Sequence, residues 1–312
     1  LLAAAETGSG KTAAFALPML QRLEAAERAD PAPSKLVLVP TREPATQVGK
    51  AFAKYGARMA RPPRLLVAYG GVGYEAQLGA AREGVDVVVA TPGRLIDLAE
   101  RGAVDLSRVD LLALDEADRL LSLGFADELN AILTRLPKGR QTLLFSATFP
   151  ASVTQLANAA LVEPRELRLE GESEAVGRIS QRVIEVERNS RTALLRHLLE
   201  TEGWTRALVF VGSKRRAENV AAKLQKRGLN AAALHGDLSQ DKRERALERF
   251  KQGKTRVLLA TDVAARGIDI SQLPCVVNYD LPRAPADYVH RVGRTGRAGQ
   301  SGVAVSFVAA ED

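Results

Sequence analysis

Ala5-Glu6-Thr7-Gly8-Ser9-Gly10-Lys11-Thr12 stands between a short apolar segment and a helical pattern over Ala13–Ala29. A strand, a glycine-bearing loop and a helix in that order make a cradle for phosphate. Gly8 and Gly10 let the backbone curl with its N–H groups inward, where they join the positive helix N-terminus. Lys11 adds a point charge for β- and γ-phosphates, and the Thr12 hydroxyl can ligate Mg2+. Ala5 stands where such loops usually begin with glycine, a small residue that still fits. The plain alternative is a glycine-rich turn beside a lysine. The Gly-Lys-Thr ending and its place before a helix both argue against it.

Asp115-Glu116-Ala117-Asp118 follows the apolar run Leu111–Leu114. In open α/β sheets, ligands bind outside the carboxyl ends of strands. A carboxylate there can hold Mg2+ directly or through water, and its neighbour can orient or deprotonate an attacking water. A short acidic cluster by itself more often opens a solvated helix. Paired with the phosphate loop, the catalytic reading is the stronger one. A third signal is His290-Arg291-Val292-Gly293-Arg294-Thr295-Gly296-Arg297. Its three arginines, spaced by three, would set planar forks on one side of a helix, where they meet phosphate oxygens bidentately. Taken alone, such a run is a basic solvated face or an RNA patch.

The elements that must carry these residues are legible as short apolar runs alternating with amphipathic segments. Strands are predicted at Lys35–Val39, Arg64–Tyr69, Val85–Ala90, Leu111–Leu114 and Thr142–Phe145, with helices over Ala13–Ala29 and Glu43–Met59. Near-continuous Val and Leu runs fit parallel strands buried on both faces. The alternation breaks at Leu169–Ser180, a polar stretch with little apolar periodicity. It resumes with strands at Arg206–Val211, Ala231–Leu234, Arg256–Ala260, Val276–Tyr279 and Val303–Val308, and helices over Arg215–Arg227 and Gln240–Gln252. The expected architecture is two tandem α/β domains, residues 1–170 and 180–312, joined by a linker over 171–179.

Composition narrows the partners. The 312 residues carry a net charge of +7, which favours a polyanion. A single cysteine excludes a disulfide framework and a cysteine-based zinc site, and Cys275 lies in an apolar run where a buried thiol is expected. Three histidines in unrelated contexts argue against a histidine metal site. No apolar stretch is long enough to span a bilayer, and no basic segment precedes the first apolar run as in a signal peptide. A reducing, cytoplasmic setting is expected. The start at Leu1, without Met and inside an apolar run, reads as a fragment lacking its front. Aromatic residues are only 4%, poor material for stacking bases, so contact with a nucleic acid should run through its backbone and weaken with salt.

Together these motifs resemble the DEAD-box ATP-dependent RNA helicases of superfamily 2, Asp115–Asp118 being the namesake tetrad. The bacterial RhlE-type subgroup is the most similar, and the resemblance covers almost the whole chain, with the motifs in the family's order. It implies two RecA-like domains, each a mainly parallel sheet flanked by helices, with the nucleotide site in the cleft between them. It implies ATP and Mg2+ as cofactors, held by residues Ala5 through Thr12, with Lys11 and Thr12 on phosphate and metal. Asp115 would hold the metal through water, and Glu116 would be the catalytic base. Asp118, Ser146 and Thr148 would couple the nucleotide site to RNA unwinding. Arg294 and Arg297 would reach the γ-phosphate as arginine fingers, with His290 and Arg291 linking the domains. Asp269, in the segment from Ala260 through Asp262 to Ile270, would accept from the ribose.

For RNA, the resemblance singles out Pro40, Thr41, Arg42 and Glu43, then Gly70 and Gly71, then Thr91, Pro92, Gly93 and Arg94. In the second domain it adds Val211-Gly212-Ser213-Lys214, His235-Gly236-Asp237, Gln240, Arg243, Thr261 and Arg266. As isolated features these are turn and capping residues. The partner implied is single-stranded or short duplex RNA, gripped by its backbone, bent and so locally unwound by a monomeric core. RNA-processing or ribosome-assembly partners would join it. Two departures stand out. The family's adenine-reading Q motif would precede residue 1, and the family's Pro-Thr-Arg-Glu-Leu-Ala segment reads Pro40-Thr41-Arg42-Glu43-Pro44-Ala45. Pro44 is expected in a first helical turn, where it is tolerated. The competing readings are an ATP-gated RNA clamp and a related DNA helicase.

Overall fold

The computed structural model describes residues 1–4, 9–26, 31–168, 179–265, 270, 273–282, 284–296 and 302–310. The chain forms two compact units, Leu1–Leu169 and Glu170–Asp312.

The first unit alternates strands and helices in the order β1 (Leu2–Ala4), α1 (Lys11–Ala25), β2 (Lys35–Leu38), α2 (Arg42–Gly56), β3 (Leu65–Ala68), α3 (Glu75–Arg82), β4 (Val87–Ala90) and α4 (Pro92–Glu100). It continues with β5 (Leu111–Leu114), α5 (Ala117–Ser122), α6 (Ala126–Arg135), β6 (Gln141–Ser146), α7 (Ala151–Ala160) and β7 (Glu166–Arg168). The strands form one sheet in the order β3-β4-β2-β5-β6-β1-β7, every pair parallel. Strand periodicity divides its side chains between two cores. Leu36, Leu38, Val88, Leu112 and Leu114 face the core filled by α4, α6 and α7, whereas Val37, Val87, Val89 and Ala113 face the core under α1 and α2. Both faces are covered, which is why these strands read as unbroken apolar runs.

The second unit comprises β8 (Ile179–Glu185), α8 (Arg191–Thr201), β9 (Ala207–Phe210), α9 (Lys214–Gln225), β10 (Ala231–Leu234) and α10 (Gln240–Lys251). Then follow β11 (Val257–Ala260), α11 (Asp262–Ala265), β12 (Cys275–Asn278), α12 (Pro285–Val292) and β13 (Gly302–Val308). Its sheet order is β10-β11-β9-β12-β13-β8, again all parallel. Ala207, Val209, Val257 and Leu259 pack with α8 and α9 on one face, and Leu208, Phe210, Leu258 and Ala260 pack with Phe250 of α10 on the other. Cys275 is buried in this core, as its apolar run predicts.

Two strands escape the apolar-run reading, and both lie at sheet edges. β7 is three residues long. β8 buries only Ile179 among its seven residues, so it has no apolar run to betray it. Ile179, taken into the linker from sequence, opens that strand, while 171–178 lie outside the described residues. Helix α1 begins at Lys11, two residues before the predicted start, and contains Pro18. Pro44 sits in the first turn of α2, where its missing N–H costs nothing. Among the described residues, no helix is long and apolar enough to cross a membrane.

Candidate functional site

Parallel strands deliver all their following loops to one edge of a sheet. In the first unit β5, β6 and β1 are neighbours, so that edge gathers Asp115 and Glu116, Ser146 to Thr148, and Lys11. Gly10 caps α1 in the left-handed region, at φ 91°, a turn that glycine makes without cost. The turn puts Lys11 at the helix start with Thr12 beside it, half-buried. Lys11 Nζ lies 3.5 Å from Asp115 Oδ1, and both side chains are buried. Burial holds the Asp115 carboxyl above the ordinary aspartate range; the Lys11 ammonium pulls against that, and the adjacent Glu116 carboxylate adds to it. Ala5, Glu6, Thr7 and Gly8 lie outside the described residues, and Ser9 is exposed.

Glu116 makes the turn from β5 into α5 at φ 53° and ψ 53°, a left-handed conformation unusual for a residue with a Cβ. Its N–H donates to Asp115 Oδ1 at 3.0 Å. Its Oε2 is buried, sits 3.6 Å from Arg119 Nε, and takes no hydrogen bond among the described residues. The cation keeps the carboxylate ionised, and a buried acceptor oxygen with a lone pair to spare suits a group that must take a proton from water. Asp118 is tied to the next strand. Its N–H donates to Ser146 Oγ at 3.3 Å, and Oδ2 accepts from the Thr148 N–H and hydroxyl at 3.2 and 2.9 Å. The Ser146 hydroxyl donates on to the Thr148 carbonyl at 2.7 Å.

The other half of this edge belongs to β2, β4 and β3 and gathers Pro40 to Arg42, Thr91 to Arg94, and Gly70 with Gly71. Gly70 and Gly71 are exposed, the latter at φ 78°. The Arg42 guanidinium lies over the Tyr69 ring at 4.7 Å, and Thr41 Oγ1 is buried and takes no hydrogen bond among the described residues. Thr91 caps α4, with Pro92 in its first turn and Gly93 half-buried. Arg94 is buried. It donates to Gln77 Oε1 at 2.9 Å and to the Val72 carbonyl at 3.0 Å, and covers the Tyr74 ring at 4.1 Å. The structure thus uses Arg94 as a brace between α4, α3 and the loop after β3.

In the second unit β11, β9 and β12 are neighbours, and their edge gathers Thr261 and Asp262, Val211 to Lys214, and Tyr279 and Asp280. Arg291, on α12, is buried and turned inward. Nε and Nη2 each donate to an Asp262 oxygen at 2.6 Å; Nη1 donates to Asn278 Oδ1 at 3.0 Å and to the Asp280 carbonyl at 2.7 Å. Four of its five N–H groups are therefore spent within this unit. Arg294 is buried, its carbonyl accepting from the Leu273 N–H at 3.1 Å, and His290 is half-buried. A Cβ at Gly302 would fall on the Thr295 hydroxyl and the Gly296 backbone, so glycine there lets β13 pass close behind the Arg294 segment. Lys214 pairs with Asp237, Gln240 donates to Glu244 at 2.6 Å, and Arg243 and Thr261 are half-buried. His235 is buried, with Nε2 3.1 Å from Glu218 Oε1. Arg266, Asp269 and Arg297 lie outside the described residues.

Sequence reasoning missed Asp280. Its Oδ2 accepts from the Gly212 N–H at 2.7 Å, and its Oδ1 from Arg191 at 3.1 Å and Arg216 at 2.5 Å. One carboxylate thus joins the start of α8, the loop after β9 and the strand end that holds Arg291. An aspartate just past a buried parallel strand is the same signal that picked out Asp115, and it was present in the sequence.

Residues 1–156 match the DEAD/DEAH box helicase family and residues 190–299 the helicase conserved C-terminal domain. The chain belongs to the DEAD-box helicase family. Among its relatives, it is 46% identical to the ATP-dependent RNA helicase DeaD of Mycobacterium tuberculosis, covering 97% of this chain and 53% of that one. It is 44% identical to the DEAD-box ATP-dependent RNA helicase CshA of Geobacillus kaustophilus, covering 97% of this chain and 64% of that one. The chain therefore spans between half and two thirds of the length of these curated relatives. Among solved structures it is similar to Saccharomyces cerevisiae Dbp5 bound to RNA and ADP-BeF3, with 34% identity, a TM-score of 0.84, and coverage of 98% of this chain and 78% of that one. The two parallel-sheet units are thus the RecA-like pair of DEAD-box helicases.

Proposed function

We propose that this chain is the catalytic core of an RNA helicase, hydrolysing ATP to ADP and phosphate while it holds, bends and locally unwinds short RNA duplexes. The observation that carries the reading is the convergence of Lys11, Asp115 and Glu116 at one strand edge, with Asp118 bonded on to Thr148. Lys11 closes a phosphate loop of the Walker A type, at the start of α1, and supplies positive charge to the β- and γ-phosphates. The Thr12 hydroxyl and Asp115 carboxylate are hard oxygen donors that fit Mg2+, and a divalent cation would relieve the cost of burying that carboxylate. When bound, the ion would neutralise phosphate charge. Glu116 orients and deprotonates water. Arg294 and Arg297 belong to the same proposal as suppliers of charge to the transition state, as do Ala5 to Thr12 and Asp269 on the nucleotide.

RNA is proposed to lie along Pro40 to Arg42, Gly70, Gly71 and Thr91 to Arg94, and in the second unit along Gln240, Arg243, Thr261 and Arg266. Support comes from the common strand edge within each unit and from the RNA present in the Dbp5 structure. The inward bonding of Arg94 and Arg291 gives both a positioning role within this reading. A monomeric, cytoplasmic core of the RhlE-type subgroup, working with RNA-processing or ribosome-assembly partners, completes the proposal on the strength of the motif resemblance.

Steady-state ATP hydrolysis with and without single-stranded RNA tests it. RNA-stimulated turnover is the expected result. RNA binding without turnover would shift the function to an ATP-gated clamp, and equal stimulation by DNA would shift it to a DNA helicase.

A further inference from the structure

The second unit carries nearly all of the net charge, with 24 Lys and Arg against 18 Asp and Glu, where the first unit has 20 against 19. Much of the excess lies at the end of the sheet opposite the candidate site. The segments leading into β9, β10 and β11 are residues 202–206, 226–230 and 252–256, and these three strands are parallel neighbours. The segments hold Arg206, Lys226, Arg227, Lys254 and Arg256 against one acid, Glu202, and the last turn of α10 adds Arg249 and Lys251 beside Glu248, which accepts from Gln252 at 2.6 Å. Glu202 is engaged by Arg182, at 2.7 Å.

The segments are laced into one surface. The Arg256 N–H donates to the Asn230 carbonyl at 2.9 Å, the Asn230 side chain donates to the Lys254 carbonyl, and Arg206 donates to the Lys251 carbonyl at 3.3 Å. The Arg206 guanidinium, and that of Arg256, which donates to the Trp204 carbonyl at 3.0 Å, thus meet carbonyls, which leave the charge uncancelled. Lys226, Arg227, Arg249, Lys251 and Lys254 are all exposed. Helix α10 runs from Gln240 and Arg243, on the proposed RNA path, to Lys251 at this pole, a distance of about 18 Å for its 12 residues.

We propose that this basic pole is a second RNA-docking surface, gripping the phosphate backbone of a duplex arm flanking the strand held at the candidate site. It rests on the RNA reading above. RNA is favoured by the dense single-sign charge and by the scarcity of aromatic side chains, which point to phosphate contact rather than base readout.

The test compares the parent chain with the variant Lys226→Gln, Arg227→Gln, Lys251→Gln, Lys254→Gln. Fluorescence anisotropy measures binding of a ten-nucleotide single strand and of the same strand carrying a ten-base-pair arm, across a salt series. The parent should bind the armed RNA more tightly. The variant should lose about tenfold in affinity for it, with a shallower salt dependence, while binding of the short strand stays within about twofold. A four-position Lys and Arg exchange at the same sites, keeping the charge, should retain arm binding. Equal affinity of parent and variant for the armed RNA overturns the docking surface and leaves the functional reading standing. Failure of the parent to bind the short strand overturns the functional reading itself. Displacement of the arm by polyglutamate at equal charge concentration overturns RNA as the occupant in favour of an acidic protein.

Discussion

Thr148 donates both its backbone N–H and its hydroxyl to a single oxygen of Asp118, at 3.2 and 2.9 Å. These bonds, with the Ser146 hydroxyl between the two segments, make the end of β6 and the start of α5 one unit. A shift at Glu116 and a shift at Thr148 therefore cannot occur independently.

A double-mutant cycle of Asp118→Ala and Thr148→Ala reads that connection. Hydrogen bonds to a charged group contribute about 1.5–3 kcal/mol, and urea denaturation should return a coupling energy near that range. Additive effects of the two changes would mean that the bonds carry no energy. In turnover, each single variant should lose RNA stimulation more than ATP affinity.

Glu116→Gln should keep ATP and RNA binding and lower hydrolysis by about 10²–10⁴-fold, since it removes the proton acceptor and keeps the shape. Nucleotide binding and steady-state turnover, measured on the same preparation, separate the two effects. Turnover at the parent rate would remove Glu116 as the base.

Arg291→Lys keeps the charge of Arg291 but loses its fork. A lysine cannot meet both oxygens of Asp262 and also reach Asn278 and the Asp280 carbonyl. Losing hydrogen bonds of this charge-assisted kind costs about 1.5–3 kcal/mol. The second unit should unfold at lower denaturant, with a loss below about 1 kcal/mol refuting the brace.

Asp280→Asn removes the countercharge of Arg191 and Arg216 and weakens the acceptor for the Gly212 N–H. Hydrogen exchange at the Gly212 amide should quicken by about tenfold or more, ahead of any change at the β9 core amides. Unchanged exchange at Gly212 would show that the loop holds its shape without Asp280.

Cys275 gives a pH prediction. Burial pushes its thiol far above the ordinary cysteine range, so its thiolate fraction lies below that of a free cysteine at every neutral or mildly alkaline pH. A thiol reagent should label the native protein slowly at pH 7 and little faster at pH 9, and label one thiol per chain on unfolding. Rapid native labelling that rises with pH would contradict the burial.

The strands that carry the site were legible because they are buried on both faces, and Lys11, Asp115 and Glu116 because a phosphate loop and a strand-end acid explain each other. β8 was not, since an edge strand with one buried residue has no pattern to read. The inward use of Arg291 was hidden for a different reason. Its partner Asp262 lies 29 residues away, and Gly212 lies 68 from Asp280, so spacing along the chain says nothing about either pair. Asp280 was visible as a residue and overlooked as a strand-end acid, having no second motif beside it to give it meaning.

The left-handed turn at Glu116 sets the backbone and the side chain against each other. A residue with a Cβ pays about 1–2 kcal/mol to sit there, and glycine pays nothing for the backbone shape. Glu116→Gly would relax the turn but leave the buried Arg119 guanidinium without its carboxylate, a loss of about 3–5 kcal/mol that outweighs the relief. The strained turn is thus locked in by its own ion pair, and easing the backbone is no route to a sturdier protein at this position.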